Sequence, residues 1–152
     1  MARQERRLDI PPAYLLAALL LMALLHQVLP LARILFAPYR YAGIVIMALG
    51  LALVLWAALL FHRARTGIVP FSPATSLVLG GPYRFTRNPM YLGMAGILLG
   101  AAILMGSLSP FAVIPAFMAL IAERFIAPEE ALLERAFGRG YLDYKAKVRR
   151  WL

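Results

Sequence analysis

Three stretches of more than 20 residues in this sequence carry no aspartate, glutamate, lysine or arginine: Ile10 to Ala32, Tyr41 to Phe61 and Asn88 to Ala122. A charge-free apolar run of about 20 residues is long enough to cross the hydrocarbon core of a bilayer as a helix. Composition points the same way. Of the 152 residues 62% are hydrophobic and 15% charged, whereas a soluble domain carries roughly 45–50% and about 25%. The chain reads as an integral membrane protein of a single domain, 1–152.

The opening "MARQERR" ahead of an apolar run imitates a signal peptide. The run is long, however, and no small-x-small cleavage site follows it, so it reads as a retained first span. Asn88 to Ala122 is too long for one crossing, because a helix rising about 1.5 Å per residue would reach roughly 50 Å against a core of about 30 Å. The turn residues "GSLSP", Gly106 to Pro110, divide it into a tight helical hairpin. The fold class expected is therefore all-α and multi-pass. Four transmembrane helices fall near 12–30, 41–62, 89–105 and 110–126, with Glu123 and Arg124 at the last membrane boundary. A polar loop, 63–86, separates the second and third spans, and a charged tail, 127–152, follows the fourth.

The lysines and arginines are distributed unevenly. Arg3, Arg6, Arg7, Arg63, Arg65, Arg84, Arg87 and most of the tail's bases fall on one side, and only Arg33 and Arg40 on the other. The positive-inside rule then puts both termini and the polar loop in the cytoplasm. The net charge of +9 follows this topology rather than forming one soluble basic face, which argues against nucleic acid as a partner. With no cysteine and only His26 and His62, no metal site is expected. His26 and Gln27, toward the far end of the first span, read as a helix–helix contact.

The densest polar cluster, "GPYRFTRNPMYLG" from Gly81 to Gly93, abuts the third span. Asn88 and Pro89 suit the N-cap and first position of a helix. Arg84 and Arg87 suit interfacial cations, and Tyr83 and Tyr91 an aromatic belt. Taken together these residues offer more. A helix start supplies free N–H groups, arginine a bidentate fork, tyrosine a face for a cationic group, and "GGP" close backbone approach. That combination suits a ligand of mixed charge. In the tail, Pro128 is expected to restart a helix whose first turn holds Glu129 and Glu130. These carboxylates serve either the helix dipole or a ligand with hydroxyls or positive charge. "FGRGYLDYKAKVRRWL" then reads as an interfacial segment folding back under the bundle, its bases also available to lipid headgroups.

"GPYRFTRNPMYLG", a hairpin, and then "EEALLERAFGRGYLDYKAKV" together resemble the isoprenylcysteine carboxyl methyltransferase family. That family lies within a wider group of membrane methyltransferases that includes phospholipid N-methyltransferases. The resemblance covers 79–148, while the two spans within 1–62 carry no signature. It implies S-adenosylmethionine bound at the cytoplasmic end of the last spans and closed in by the tail. Gly81, Pro82, Tyr83, Arg87, Asn88, Pro89, Tyr91 and Gly93 match the first cofactor motif, Glu129 and Glu130 the acidic pair, and Tyr141 and Tyr144 the closing tyrosines. The family's histidine is Asn88 here, which keeps a hydrogen-bond donor but does not titrate near neutral pH.

Methyl transfer from a sulfonium needs alignment and exclusion of water more than acid–base help. The resemblance implies a lipidic acceptor entering from the bilayer, led by the carboxylate of a prenylated cysteine. Arg87, Asn88 and, less centrally, Arg124 are then the residues expected to hold the reacting groups. Methylation of a lipid amine, with Glu129 or Glu130 as base, and a non-catalytic lipid-binding module are the alternatives.

Overall fold

The computed structural model describes residues 10–64 and 76–152. Arg3, Arg6, Arg7 and residues 65–75 of the expected 63–86 loop, Arg65 among them, lie outside the described residues. The chain forms helices α1 (Pro11–Val28), α2 (Ala42–Arg63) and α3 (Pro89–Met105), a long rod α4 (Ser109–Phe137), and a short α5 (Arg139–Lys147). Among the described residues the sole β-type pairing is one bridge between Arg33 and Ser107. The fold is all-α and multi-pass, as the apolar runs require. α1, α2 with its leading turn, and α4 are long and apolar enough to cross a membrane, and α3, with 17 residues, is somewhat shorter.

Local chemistry sets the ends of α3. Pro89 occupies its first turn, where a missing N–H costs nothing, and Gly106 closes it in a left-handed conformation, φ 77°. Leucines and Trp56 on α1 and α2 (Leu16, Leu20, Leu24, Leu49, Leu55) point outward, where only lipid can receive them. The core lies between α1, α3 and α4, around Met22, Leu98, Ala102, Ile121, Phe125 and Ile126.

α2 and α3 pack backbone to backbone. A Cβ placed on Gly50 would stand 2.6 Å from the carbonyl oxygen of Gly93, and one on Gly93 would stand 2.6 Å from that of Gly50. Gly43 and Gly100 form a second such pair seven residues along each helix. Small residues let membrane helices approach this closely, where dispersion supplies the attraction that the hydrophobic effect cannot. The obstructing atoms are backbone and cannot rotate away, so Gly50→Val should lower stability by about 3 kcal/mol or more, at or above the usual upper end for overpacking. Chemical denaturation in mixed micelles, read by helical circular dichroism, checks this against Gly96→Ala, whose Cβ would meet its nearest neighbour at an ordinary 3.4 Å.

The rod α4 corrects the expected break at Pro128. Residues Ile121 to Ala127 keep right-handed helical backbone, and the helix runs on through the proline to Phe137. Proline has no N–H to donate four residues back. The helix meets this defect by widening: Ala122–Ile126 forms a π turn in which the Ala127 N–H bonds to the Ala122 carbonyl, five residues back. One extra residue in a turn rotates everything beyond it by about 100°. Glu129 and Glu130 therefore do not open a new helix; they sit on a rephased face of a continuous one.

At the opposite end of the bundle, the link between α1 and α2 lies against the hairpin turn. The Ile34 and Leu35 N–H groups both donate to the Gly106 carbonyl, at 2.8 and 3.1 Å, and Leu108 N–H donates to the Ala32 carbonyl at 2.9 Å. His26 Nδ1 and Ser107 Oγ are hydrogen-bonded at 2.7 Å, tying α1 to the same turn.

Candidate active site

The start of α3, the rephased face of α4 and the tail meet at one end of the bundle. Tyr91, in the first turn of α3, donates its phenolic hydrogen to Glu129 Oε1 at 2.9 Å. Arg87, two residues before Pro89, brings Nη2 within 3.3 Å of Glu130 Oε1, and both side chains are about nine-tenths buried. Tyr91, Arg87 and the two glutamates, about forty positions apart in the chain, thus form one cluster.

The tail closes over it. α4 ends at Gly138, α5 turns back, and the extended residues beyond Val148 run alongside the start of α3. Arg87 N–H donates to the Arg149 carbonyl at 2.9 Å. The Thr86 hydroxyl, at 3.1 Å, and the Asn88 amide Nδ2, at 3.0 Å, both donate to the Arg150 carbonyl. Arg150 then turns its own side chain inward and grips Glu130 through Nε at 3.1 Å and Nη2 at 2.7 Å. Nearby, Tyr144 donates to the Tyr83 carbonyl at 2.7 Å, and Lys145 pairs with Glu134.

Tyrosines line the cluster. Tyr141 is almost wholly buried, with its ring centroid 6.1 Å from that of Tyr144, and Tyr83 packs on Phe61 at 5.5 Å. Burial, reinforced by Glu130 and partly offset by Arg87, pushes the Tyr141 phenol up to about 12. Burial and then Tyr141 do the same to Tyr144, also to about 12. Both are neutral hydrogen-bond donors at any physiological pH. The hydrogen bond from Arg150 to Glu130 raises the arginine still further, so Arg150 stays cationic.

The geometry separates the two glutamates. Glu130 is shared between two guanidinium groups, whereas Glu129 accepts one phenol and has no cation beside it among the described residues. Arg87 is the unsatisfied member: its Nε and Nη1 are buried and have no hydrogen-bond partner among the described residues. A buried guanidinium left half-unpaired is costly, and an anionic ligand group would remove that cost.

Other residues of the sequence motifs sit differently. Asn88 stands at the N-cap, yet its side chain makes no cap; it holds the tail, and Thr86 Oγ1 accepts the Asn88 N–H at 3.2 Å instead. Gly81 has φ 58°, and a Cβ there would come within 2.8 Å of Leu60 and 3.3 Å of Trp56, so close contact with α2 alone requires a glycine here. Gly93 belongs to the α2–α3 interface. Pro82 and Pro89 are buried beneath the cluster. Arg124 is exposed on the π turn, outside the buried group around Glu130. Arg150 and Thr86 were not singled out from sequence. The pair "RR" near the end read as lipid contacts, and only the tail's return path makes Arg150 a partner of Glu130.

Comparison with known proteins gives the same region a wider frame. The sequence matches the phospholipid methyltransferase family over residues 39–140, a span that takes in α2 and the whole hairpin. A protein of Haemophilus influenzae described as uncharacterized is 41% identical over 63 residues, which is 41% of this chain and the full length of that protein.

Proposed function

Because the chain belongs to the phospholipid methyltransferase family, membrane methyltransferases acting on lipid substrates, we propose that the cluster at Arg87, Glu129 and Glu130 binds S-adenosylmethionine beside a lipid acceptor. Methyltransferases of this family generally use that donor. The observation that carries the reading is Arg87, buried with two guanidinium nitrogens, Nε and Nη1, unpartnered among the described residues, beside a helix start. These donors fit the carboxylate of the donor's methionyl end. The ring faces of Tyr83, Tyr91, Tyr141 and Tyr144 suit its sulfonium and ammonium charges. When bound, the sulfonium supplies an electrophilic methyl group, whose transfer forms a bond to the acceptor as the carbon–sulfur bond breaks.

For the acceptor, Glu129 favours an amine such as the headgroup of phosphatidylethanolamine. An ammonium has no lone pair and must lose a proton before its nitrogen can attack. Among the described residues Glu129 has no competing cation and Oε2 has no hydrogen-bond partner, so Oε2 suits the proton while Tyr91 fixes the carboxylate through Oε1. Glu130, held by two arginines, is unsuited to the task and serves to position Arg87 and the tail. A second reading, methylation of a prenylated cysteine carboxylate, draws on Arg87 instead: its free N–H groups also fit an acceptor that is already ionised at neutral pH. The concentration of lysine and arginine toward this end supports a cytoplasmic location for the site.

The experiment is to reconstitute the protein in nanodiscs with methyl-labelled donor and offer phosphatidylethanolamine or a farnesylated cysteine in separate reactions. Label is expected in the phospholipid. Glu129→Gln should lower kcat by 10²-fold or more, the scale of lost general-base catalysis, while donor binding persists. Label in the farnesylated cysteine alone would transfer the assignment to the carboxylate. Donor binding with label in neither would leave a non-catalytic lipid-binding module.

A further inference from the structure

A second polar site lies at the other end of the bundle. The docked α1–α2 link and the hairpin turn enclose a pocket of about 140 Å³ lined by His26, Arg33, Phe36, Arg40, Met105 and Gly106 among others. α3 alone, 17 residues long, puts about 26 Å between this pocket and the Arg87 cluster.

The charge of this pocket has no acidic counterpart among the described residues. No aspartate or glutamate occurs anywhere from Ile10 to Ala122, and every described carboxylate side chain lies between Glu123 and Asp143. Arg33 and Arg40 therefore meet no acidic partner among the described residues. Among the described residues the Nε of Arg40 is buried without a hydrogen-bond partner, and its guanidinium carbon lies 6.0 Å from the centroid of the Tyr41 ring, the outer limit of a cation–π interaction. A guanidinium N–H buried without an acceptor is costly. No backbone carbonyl among the described residues accepts from this Nε, and the nearby Ile34 and Leu35 N–H groups are bound to Gly106. His26 is held by Ser107 at Nδ1.

The surroundings identify the source of the missing anion. Leu31, Ile34 and Phe36, all on the link that forms the pocket wall, are exposed apolar side chains that belong in a bilayer. A pocket with two arginines, no carboxylate in its lining and an apolar rim suits a phosphate carried by a lipid, and it offers no carboxylate to a headgroup ammonium. We propose that this pocket binds the phosphate of an anionic phospholipid in the leaflet opposite the Arg87 cluster. The α1–α2 link and the hairpin turn are then fastened by that lipid as well as by their own hydrogen bonds.

The test uses the full chain in neutral detergent, with phosphatidylglycerol, phosphatidylcholine and inorganic phosphate as separate probes. Bound lipid is read by native mass spectrometry and stability by thermal unfolding. Phosphatidylglycerol should be retained in preference to phosphatidylcholine and should raise Tm. Arg33→Gln with Arg40→Gln should reduce that retention at least tenfold, whereas Arg63→Gln, which removes a single arginine at the other end of α2, should not. Should the double variant unfold, Arg40→Lys, which keeps the charge and removes Nε, is expected to weaken retention alone. Displacement of phosphatidylglycerol by millimolar inorganic phosphate would support the anion site with a free anion as its occupant. Equal retention of both lipids by the wild type, or retention unchanged in the folded variants, overturns the proposal.

Discussion

Glu130→Ala is expected to lower stability by about 3–5 kcal/mol and to abolish measurable binding of the methyl donor. The substitution removes the one carboxylate that neutralises Arg87 from within the cluster, and Arg87 has only about a tenth of its side chain in contact with solvent. A buried charge stripped of its partner keeps its desolvation penalty and loses the attraction that offset it. Arg150, whose side chain is 40% exposed, can turn to water and loses much less. A double-mutant cycle separates the two arginines: coupling of Glu130 to Arg87 should exceed its coupling to Arg150 by at least about 1 kcal/mol. Glu130→Gln keeps the shape and a hydrogen-bond acceptor, so its stability should fall between wild type and the alanine variant. Equal coupling to both arginines would mean that the buried pair is no stronger than a surface one.

Deleting residues 149–152 should reduce methyl transfer by about 10²-fold or more, the scale that a misplacement of about 1 Å brings. The tail contributes three hydrogen bonds through its carbonyls, from Arg87 N–H, Thr86 and Asn88, and it delivers Arg150 to Glu130. At about 1 kcal/mol net for each neutral bond, its loss also lowers stability by about 3 kcal/mol. Arg150→Ala keeps the backbone tether and removes only the ion pair, so it should retain most of the stability and part of the activity. If full activity survived the deletion, the tail would be a bystander rather than the wall that excludes water from the site.

The parts of this fold that announce themselves in sequence are those fixed by local chemistry. The length of each uncharged run sets the spans. α3 matched its expected bounds because Asn-Pro at one end and Gly106 at the other are strong local signals. The rephasing of α4 was not legible in the same way. Pro128 signals a break when read alone, and only the π turn upstream shows how a helix accommodates it. Gly43 and Gly50, like Gly93 and Gly100, repeat at seven residues, a pattern that would have pointed to the α2–α3 interface. In the site, the motif residues Arg87, Tyr91, Glu129 and Glu130 come together, while Gly81 and Gly93 face α2 and Arg124 stays outside. Arg150 lay beyond the recognisable motif. Its partner depends on the path of the chain after α5, which no spacing rule encodes.

Calorimetric titration of the purified protein with S-adenosylmethionine, for the wild type and Arg87→Ala side by side, tests the central assignment most directly. Saturable one-to-one binding by the wild type, weakened at least a hundredfold in a still-helical Arg87→Ala protein, is the expected result. Undiminished binding in that variant, or none in the wild type, would contradict the placement of the donor among Arg87, Glu129 and Glu130.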